Sequence, residues 1–141
     1  MCDIITMTVK KILNWLRSLF RKHYSFQDLK FNAHAVKADA IQAKLDLGNG
    51  LQISVVAMKD KDQSFGGLYG NASKGTYEVA VFGNDDSMLP LASYDDVLGW
   101  QTKDDINKLM DNLQGDGAND FIDNLHLAKA QHQAGANFRL S

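Results

Sequence analysis

The chain has little cysteine and little proline. Its one cysteine, Cys2, cannot form a disulfide within the chain, which fits a reducing compartment. With Pro90 as the one proline, no segment has the composition of a proline-rich linker. A chain of 141 residues has the length of one domain that needs neither a disulfide nor a metal to fold.

Long hydrophobic runs are also missing. No stretch of about 18 uncharged apolar residues occurs, so a membrane span is not expected. Arg17, Arg21 and Lys22 interrupt the apolar N-terminal region, which does not fit a cleaved secretion signal. We therefore expect a soluble intracellular protein.

Motifs that carry catalytic or metal chemistry are not apparent. The histidines lack zinc-ligand spacing, and neither a P-loop nor a dinucleotide-binding glycine motif is present. Residues 60–64, DKDQS, resemble the start of a calcium loop. The similarity ends at Phe65, where glycine is needed, and at Asn71, where glutamate is needed. The sequence predicts no cofactor, no metal and no enzymatic activity.

Charge is distributed unevenly along the chain. The net charge is −2, and residues 1–30 hold six Lys and Arg against two Asp. Residues 85–125 hold ten Asp against Lys103 and Lys108, a local balance of −8. This asymmetry argues against direct nucleic-acid binding by the whole domain. It also suggests that the basic start packs near the acidic half of its own or a sister chain.

Residues 8–24 have the pattern of an amphipathic helix, with apolar residues at positions i, i+3, i+4 and i+7. Such a helix fits a protein interface, a homo-oligomer contact or a membrane surface. The candidate residues for these roles are Ile12, Trp15, Leu16 and Phe20 on the apolar face, with Lys11, Arg17 and Arg21 as the cations.

The middle of the chain has the two-residue period of β-strands. From Ala40 apolar and polar residues alternate, and Gly48-Asn49-Gly50 predicts a tight hairpin turn. Residues 76–82, TYEVAVF, predict a central strand, and residues 87–91 a short partner strand. Between the hairpins lies a glycine-rich polar loop, residues 59–75. Its apolar residues are candidates for partner contact: Phe65, Leu68 and Tyr69.

Helical periodicity returns after residue 100. Thr102 and Asp105 form a capping-box pattern, and Gly115 ends the predicted helix. A further helix is expected from about Asn119, with a loose C-terminal end. The fold prediction is α+β, with about four antiparallel strands in two hairpins, an N-terminal amphipathic helix and one or two C-terminal helices. The predicted units are residues 1–25, a core module at 26–115 and an acidic helical extension at 116–141.

Four stretches carry a resemblance to a known group of proteins. They are FNAH at 31–34, IQAKLDLGNGLQISVV at 41–56, TYEVAVFGND at 76–85 and DDVLGWQTKDDINKLMDNLQ at 95–114. Together they resemble small, mostly uncharacterised accessory proteins of bacteriophages, in which a YEVAVF strand precedes an acidic turn, a DDVLGW connector and a helix. The resemblance spans 84 of the 141 residues. It implies action in the cytoplasm of a bacterial host, with association with a membrane surface as an alternative.

These observations predict a non-enzymatic protein that binds and modulates a host protein or complex. An anti-defence inhibitor, for instance one that blocks a CRISPR complex, is one concrete version. In that version the acidic residues imitate nucleic acid towards a basic groove. The candidate contact residues are Asp85, Asp86, Asp95, Asp96, Asp104, Asp105 and Asp111. The alternative is a membrane-surface or oligomerisation module that acts through the N-terminal helix.

Overall fold

The computed structural model describes Val9, Ile12, residues 22–59 and residues 68–140, with side chains described as far as residue 135. The elements are β1 (Asn32–Ala33), β2 (Ala40–Asp46), β3 (Gln52–Met58), β4 (Tyr77–Phe82), β5 (Leu98–Gln101), α1 (Lys103–Gln114) and α2 (Ala118–Leu140). Short 3-10 helices lie at Phe26–Asp28 and Ala72–Lys74. The predicted α+β class is confirmed. Of the helix predicted over residues 8–24, Val9 and Ile12 are helical, Lys22, His23 and Tyr24 are not, and the rest lies outside the described residues.

The five strands form one antiparallel sheet in the order β1-β2-β3-β4-β5. The predicted hairpin joins β2 to β3, with Leu45 paired to Ile53. Gly48 and Gly50 have φ angles of 79° and 87°, a region that glycine enters without steric cost. The glycines around Asn49 therefore fix the turn as the sequence predicted, and β4 lies between β3 and β5 as a central strand.

The prediction of about four strands in two hairpins is wrong, because the described residues form five strands and the second predicted hairpin does not extend into a strand pair. Residues 87–91 make only a single bridge to β4, between Met88 and Phe82. A tight turn forms instead, in which the Gly83 N–H donates to the Ser87 carbonyl at 2.8 Å. Pro90 lacks the N–H that a continuing ladder needs. The neighbour of β4 is β5, and the two-residue β1 forms the opposite edge of the sheet.

One face of the sheet carries the core. Alternate residues of the strands, such as Val55 and Val79, meet the buried stripe of α1. That stripe is the predicted one: Ile106, Leu109, Met110 and Leu113. The helix begins as predicted, because the Thr102 hydroxyl accepts the Asp105 N–H and the Asp105 carboxylate accepts the Thr102 N–H. Burial of this stripe fixes α1 across the sheet.

The segment before β1 and the helix after α1 both pack against this part of the domain. The Tyr24 backbone exchanges two hydrogen bonds with the Gln114 amide, at 2.7 and 2.8 Å, and the Phe26 N–H donates to Asn107 at 2.8 Å. Further along, α2 packs on the core through Phe121, Ile122 and Leu125. It continues to Leu140, where the sequence predicted a loose end. Among the described residues, no helix has the length and apolar character needed to cross a membrane.

Candidate interaction site

Two exposed aromatic side chains meet at the edge of the sheet. Tyr69 is 53% exposed and Trp100 is 51% exposed. Their ring centroids lie 6.2 Å apart with an interplanar angle of 70°. This edge-to-face geometry is a favoured arrangement of aromatic rings. The pair forms an ordered aromatic surface in an exposed position.

A β-bulge explains why Trp100 is exposed. Val79 pairs with Leu98 and Tyr77 pairs with Gln101, so two residues of β5 oppose one residue of β4. In a regular strand Leu98 and Trp100 would point to the same face, the core face. The extra residue shifts the alternation, and a bulge of this kind redirects a side chain. Trp100 has a φ of 55°, in the left-handed region that a bulky residue seldom adopts.

Glycines allow the Tyr69 segment to approach β4 and β5 closely. A Cβ atom on Gly99 would lie 2.5 Å from the Tyr69 Cβ, and one on Gly70 would lie 2.7 Å from the Tyr77 Cα. The Trp100 N–H donates to the Tyr69 carbonyl at 2.6 Å. Neither approach leaves room for a larger residue. The backbone therefore fixes the position of Tyr69 beside the bulge.

Glu78 completes the site. It is the β4 residue that lies between Tyr77 and Val79, opposite the two bulged residues of β5. Its Oε2 atom accepts the Tyr69 N–H at 2.8 Å. The bulge thus brings together two exposed aromatic rings and a carboxylate. We call Tyr69, Glu78 and Trp100 the bulge site.

The sequence identified part of this site. Leu68, which is partly buried, and the exposed Tyr69 belong to the predicted contact loop, whereas Phe65 lies outside the described residues. Trp100 was part of the DDVLGW connector, and neither Trp100 nor Glu78 was predicted as a contact residue. The signal that was available is the glycine before Trp100, since a glycine inside a strand pattern indicates a bulge or a close backbone approach.

The seven predicted acidic contact residues lie in several separate places. Asp85 and Asp86 form the turn after β4, where Asp85 accepts from both the backbone N–H and the hydroxyl of Ser87. Asp86 has a φ of 60°, a conformation that aspartate tolerates in turns. Asp95 accepts the Val97 N–H in the connection before β5. These three acids have local structural roles.

The other four predicted acids lie nearer the helices. Asp96 pairs with Lys129 of α2 at 3.1 Å, and Asp104 and Asp105 occupy the first turn of α1. Asp111 lies 2.6 Å from His23, oxygen to nitrogen. All but Asp96 are exposed, so these acids make the surface acidic, and the hydrogen bonds and ion pairs show that several of them also have structural partners.

Two of these acids have depressed pKa values. The hydroxyl and the backbone N–H of Ser87 lower the pKa of Asp85 below its usual value. The backbone N–H and the hydroxyl of Thr102 do the same to the pKa of Asp105. In each case the cause is a local hydrogen bond that favours the ionised carboxylate. The shifts reflect a turn and a helix cap, two structural functions.

Two further observations on the described residues concern metal and ligand binding. No group of three His, Cys, Asp or Glu side chains could hold a metal ion in this part of the chain. An open cleft of about 360 Å³ lies between the β2–β3 turn and the start of α2. The polar part of its lining includes the amides of Asn49, Asn84 and Asn119 and the carboxylate of Asp116. These groups can form hydrogen bonds with a polar ligand.

One residue of the predicted helix interface is described: Ile12, which is 50% exposed. Val9, which belongs to the same predicted helix, is 49% exposed. The other residues of that prediction, Lys11, Trp15, Leu16, Arg17, Phe20 and Arg21, lie outside the described residues. The chain reaches the domain at His23 and Tyr24, beside the second half of α1.

No protein-family model matches the chain, and no match is found among curated proteins or among solved structures. The resemblance to phage accessory proteins therefore stays a prediction, and the residues of the bulge site have to be interpreted from their own geometry.

Proposed function

We propose that this protein acts by binding another protein and that the bulge site is the centre of the contact. The observation behind the proposal is the exposed pair of Tyr69 and Trp100. Tyrosine and tryptophan are enriched among the residues that dominate the energy of protein interfaces. Consistent with the sequence resemblance, the proposed partner is a host protein or complex, and the proposed role is that of a phage accessory inhibitor, with anti-defence activity as one version.

The conformational free energy that the backbone of Trp100 costs supports a role in binding. A non-glycine residue with positive φ is disfavoured by about 1–3 kcal/mol, and such strain concentrates at functional sites. Trp100 takes this conformation, and its side chain is half exposed instead of buried in the core. Burial of the ring at an interface would recover the hydrophobic contribution that folding leaves unused.

The exposed aspartates fit the same function. Residues 85–125 carry a balance of −8, and interface charges of one sign raise the association rate with partners of the opposite sign. Because most of these acids have structural roles, we assign them to long-range attraction and the bulge site to the direct contact. A partner with a basic surface fits both features.

A quantitative capture experiment tests the proposal. Immobilised full-length protein is exposed to host-cell lysate, and retained proteins are quantified by mass spectrometry. Trp100→Gly removes the ring and suits the φ of 55°. We expect the specifically retained partner to fall at least tenfold with this variant. Tyr94→Ala is the matched control, since Tyr94 is 80% exposed and lies outside the bulge site.

Equal capture by the wild type and Trp100→Gly would contradict the proposal. A second variant separates the contribution of the acids: neutralisation of Asp95, Asp96, Asp104, Asp105 and Asp111 together. Slower association with an unchanged dissociation rate is expected from long-range attraction. If capture survives this change at low salt without any loss of rate, imitation of nucleic acid by the acidic residues is ruled out.

A second candidate function is favoured by the half-exposed Val9 and Ile12. These residues belong to the apolar side of the predicted N-terminal helix, which would contact a sister chain or a membrane surface. Light scattering of the full chain and of a chain that starts at Ser25 tests self-association. Flotation with anionic vesicles tests lipid binding. An unchanged mass per particle together with no flotation would contradict both versions.

A further inference from the structure

We propose that the bulge site binds an arginine side chain that the partner presents. This inference rests on the proposed protein-binding function and specifies what the site recognises. Tyr69 and Trp100 supply aromatic rings, Glu78 supplies a negative charge, and the three converge on the same bulge. Exposed rings beside a carboxylate are the complement of a cation that also has an apolar or planar surface.

The aromatic part of the site favours a cation. The face of an aromatic ring is negative, and tryptophan is the ring that attracts Lys and Arg most strongly. In the edge-to-face pair the two rings are inclined at 70°, so they form two walls of different orientation. A planar guanidinium can stack on one wall while its N–H groups remain free to donate.

Glu78 supplies the acceptor for those N–H groups. Its carboxylate accepts one hydrogen bond from the Tyr69 N–H at 2.8 Å, and that bond fixes the carboxylate beside the Tyr69 backbone. A carboxylate offers about four lone-pair positions, so acceptor capacity remains for a guanidinium. Arginine matches a carboxylate with two parallel N–H groups, whereas lysine offers a point charge. The combination of a ring and a carboxylate therefore favours arginine over lysine.

The charge of the chain agrees with a basic partner. The aspartates between residues 85 and 125 are mostly exposed, and they surround the strand that contributes Trp100 in the sequence. Their field raises the local concentration of a basic protein. An arginine on such a protein would then enter the bulge site as the directional contact.

A titration with arginine analogues tests the inference on the full-length protein. The probes are N-acetyl-arginine methylamide, the equally shaped but neutral N-acetyl-citrulline methylamide, and N-acetyl-lysine methylamide. The readout is the NMR signal of the tryptophan indole N–H groups. The chain has two tryptophans, and the spectrum of Trp100→Gly identifies the signal of Trp100.

We expect the arginine analogue to shift the Trp100 signal in a saturable way and to bind about 3-fold or more tightly than citrulline, as a cation–π contact at an exposed site predicts. Glu78→Gln should reduce this preference, because the charged partner of the guanidinium is lost while the aromatic rings remain, and the Trp100 signal should keep its position in the free protein. Tyr94→Ala should behave as the wild type. Equal binding of arginine and citrulline, tighter binding of lysine, or loss of binding in Tyr94→Ala would each overturn the inference.

The titration and the capture experiment test two separate claims, so either claim can be contradicted without the other. If Trp100→Gly abolishes partner capture but arginine and citrulline bind alike, the binding function stands and the arginine inference falls. If arginine binds preferentially but partner capture is unchanged in Trp100→Gly, the cation site stands and its role in partner binding falls.

Discussion

Two aromatic clusters lie at the same end of the sheet and differ in nearly every respect. Phe26, Phe31 and Tyr77 have ring centroids 5.2–6.0 Å apart and are packed against the core. Tyr69 and Trp100, in contrast, are about half exposed. Tyr77 and Glu78 are neighbours in β4, and successive strand residues point to opposite faces. One strand thus supports a structural cluster on one side and the bulge site on the other.

The difference lies in what holds each cluster. Apolar burial holds the rings of Phe26, Phe31 and Tyr77, so their positions are favourable for the free protein. Backbone geometry holds Tyr69 and Trp100: a bulge, a left-handed residue and two close glycine approaches. Aromatic rings whose exposure costs free energy of folding are more informative about function than rings that folding buries.

The largest expected effect is a difference between the two clusters in how much they contribute to the free energy of unfolding. Tyr77→Ala should lower the free energy of unfolding by about 2–4 kcal/mol, because a packed ring is lost from the edge of the core. Tyr69→Ala should change it by less than about 1 kcal/mol, since its ring is half in solvent. Urea denaturation of the two variants measures both values. Equal losses would show that the two clusters do not differ in this way.

The close glycine approaches provide the next test. Gly99→Ala places a methyl group 2.5 Å from the Tyr69 Cβ, so we expect a loss of about 1–3 kcal/mol and displacement of Tyr69. Thermal unfolding and the NMR signals of Tyr69 monitor the two consequences. Gly117→Ala is the control, because nothing lies within 4 Å of its Cβ position. Similar behaviour of the two variants would contradict the close contact at the bulge.

A smaller effect on stability is expected for Trp100→Gly. Glycine relieves the positive φ but adds backbone entropy to the unfolded chain and loses the ring contact, so the terms nearly cancel. We expect the free energy of unfolding to stay within about 1 kcal/mol of the wild-type value. A loss of several kcal/mol in chemical denaturation would make Trp100 a structural residue like Tyr77.

The smallest expected effect is on the pH dependence of unfolding, through Asp28 beside the cluster of Phe26, Phe31 and Tyr77. Asp28 ends the 3-10 helix that carries Phe26. The Ser25 N–H and Lys22 hold the pKa of Asp28 below the usual aspartate value of 3.8. A carboxylate whose pKa is lowered by folding stabilises the folded state above pH 3.8, and that stabilisation is lost as the pH falls through the folded-state pKa. Asp28→Asn should therefore reduce the acid sensitivity of unfolding slightly. An unchanged pH dependence below pH 4 would contradict this role.

The sequence predicted the parts of the fold that local rules control. The Gly48-Asn49-Gly50 turn, the Thr102–Asp105 cap and the buried stripe of α1 each follow from positive-φ chemistry, hydrogen-bond capping or helical periodicity. β5 was missed because its four residues contain a bulge, which breaks the two-residue period that strand prediction needs. Because of the same irregularity, the sequence pattern did not predict that Trp100 is exposed.

The bulge site could be predicted only in part for a related reason. Tyr69 stood out as an aromatic residue in a polar glycine-rich loop, which is a local signal. Its contact with Trp100 joins residues 31 positions apart, and it depends on the register between β4 and β5. The acids were found readily because charge is visible in sequence. That most of them serve turns, caps and ion pairs became apparent only from their partners.

The most direct test of the central claim is the affinity of Trp100→Gly for the partner that the wild type captures, measured against the affinity of Tyr94→Ala in the same buffer. If the exposed pair serves binding, Trp100→Gly binds at least tenfold more weakly at nearly unchanged stability, and Tyr94→Ala binds as the wild type does. Equal affinities of Trp100→Gly and the wild type would contradict the claim.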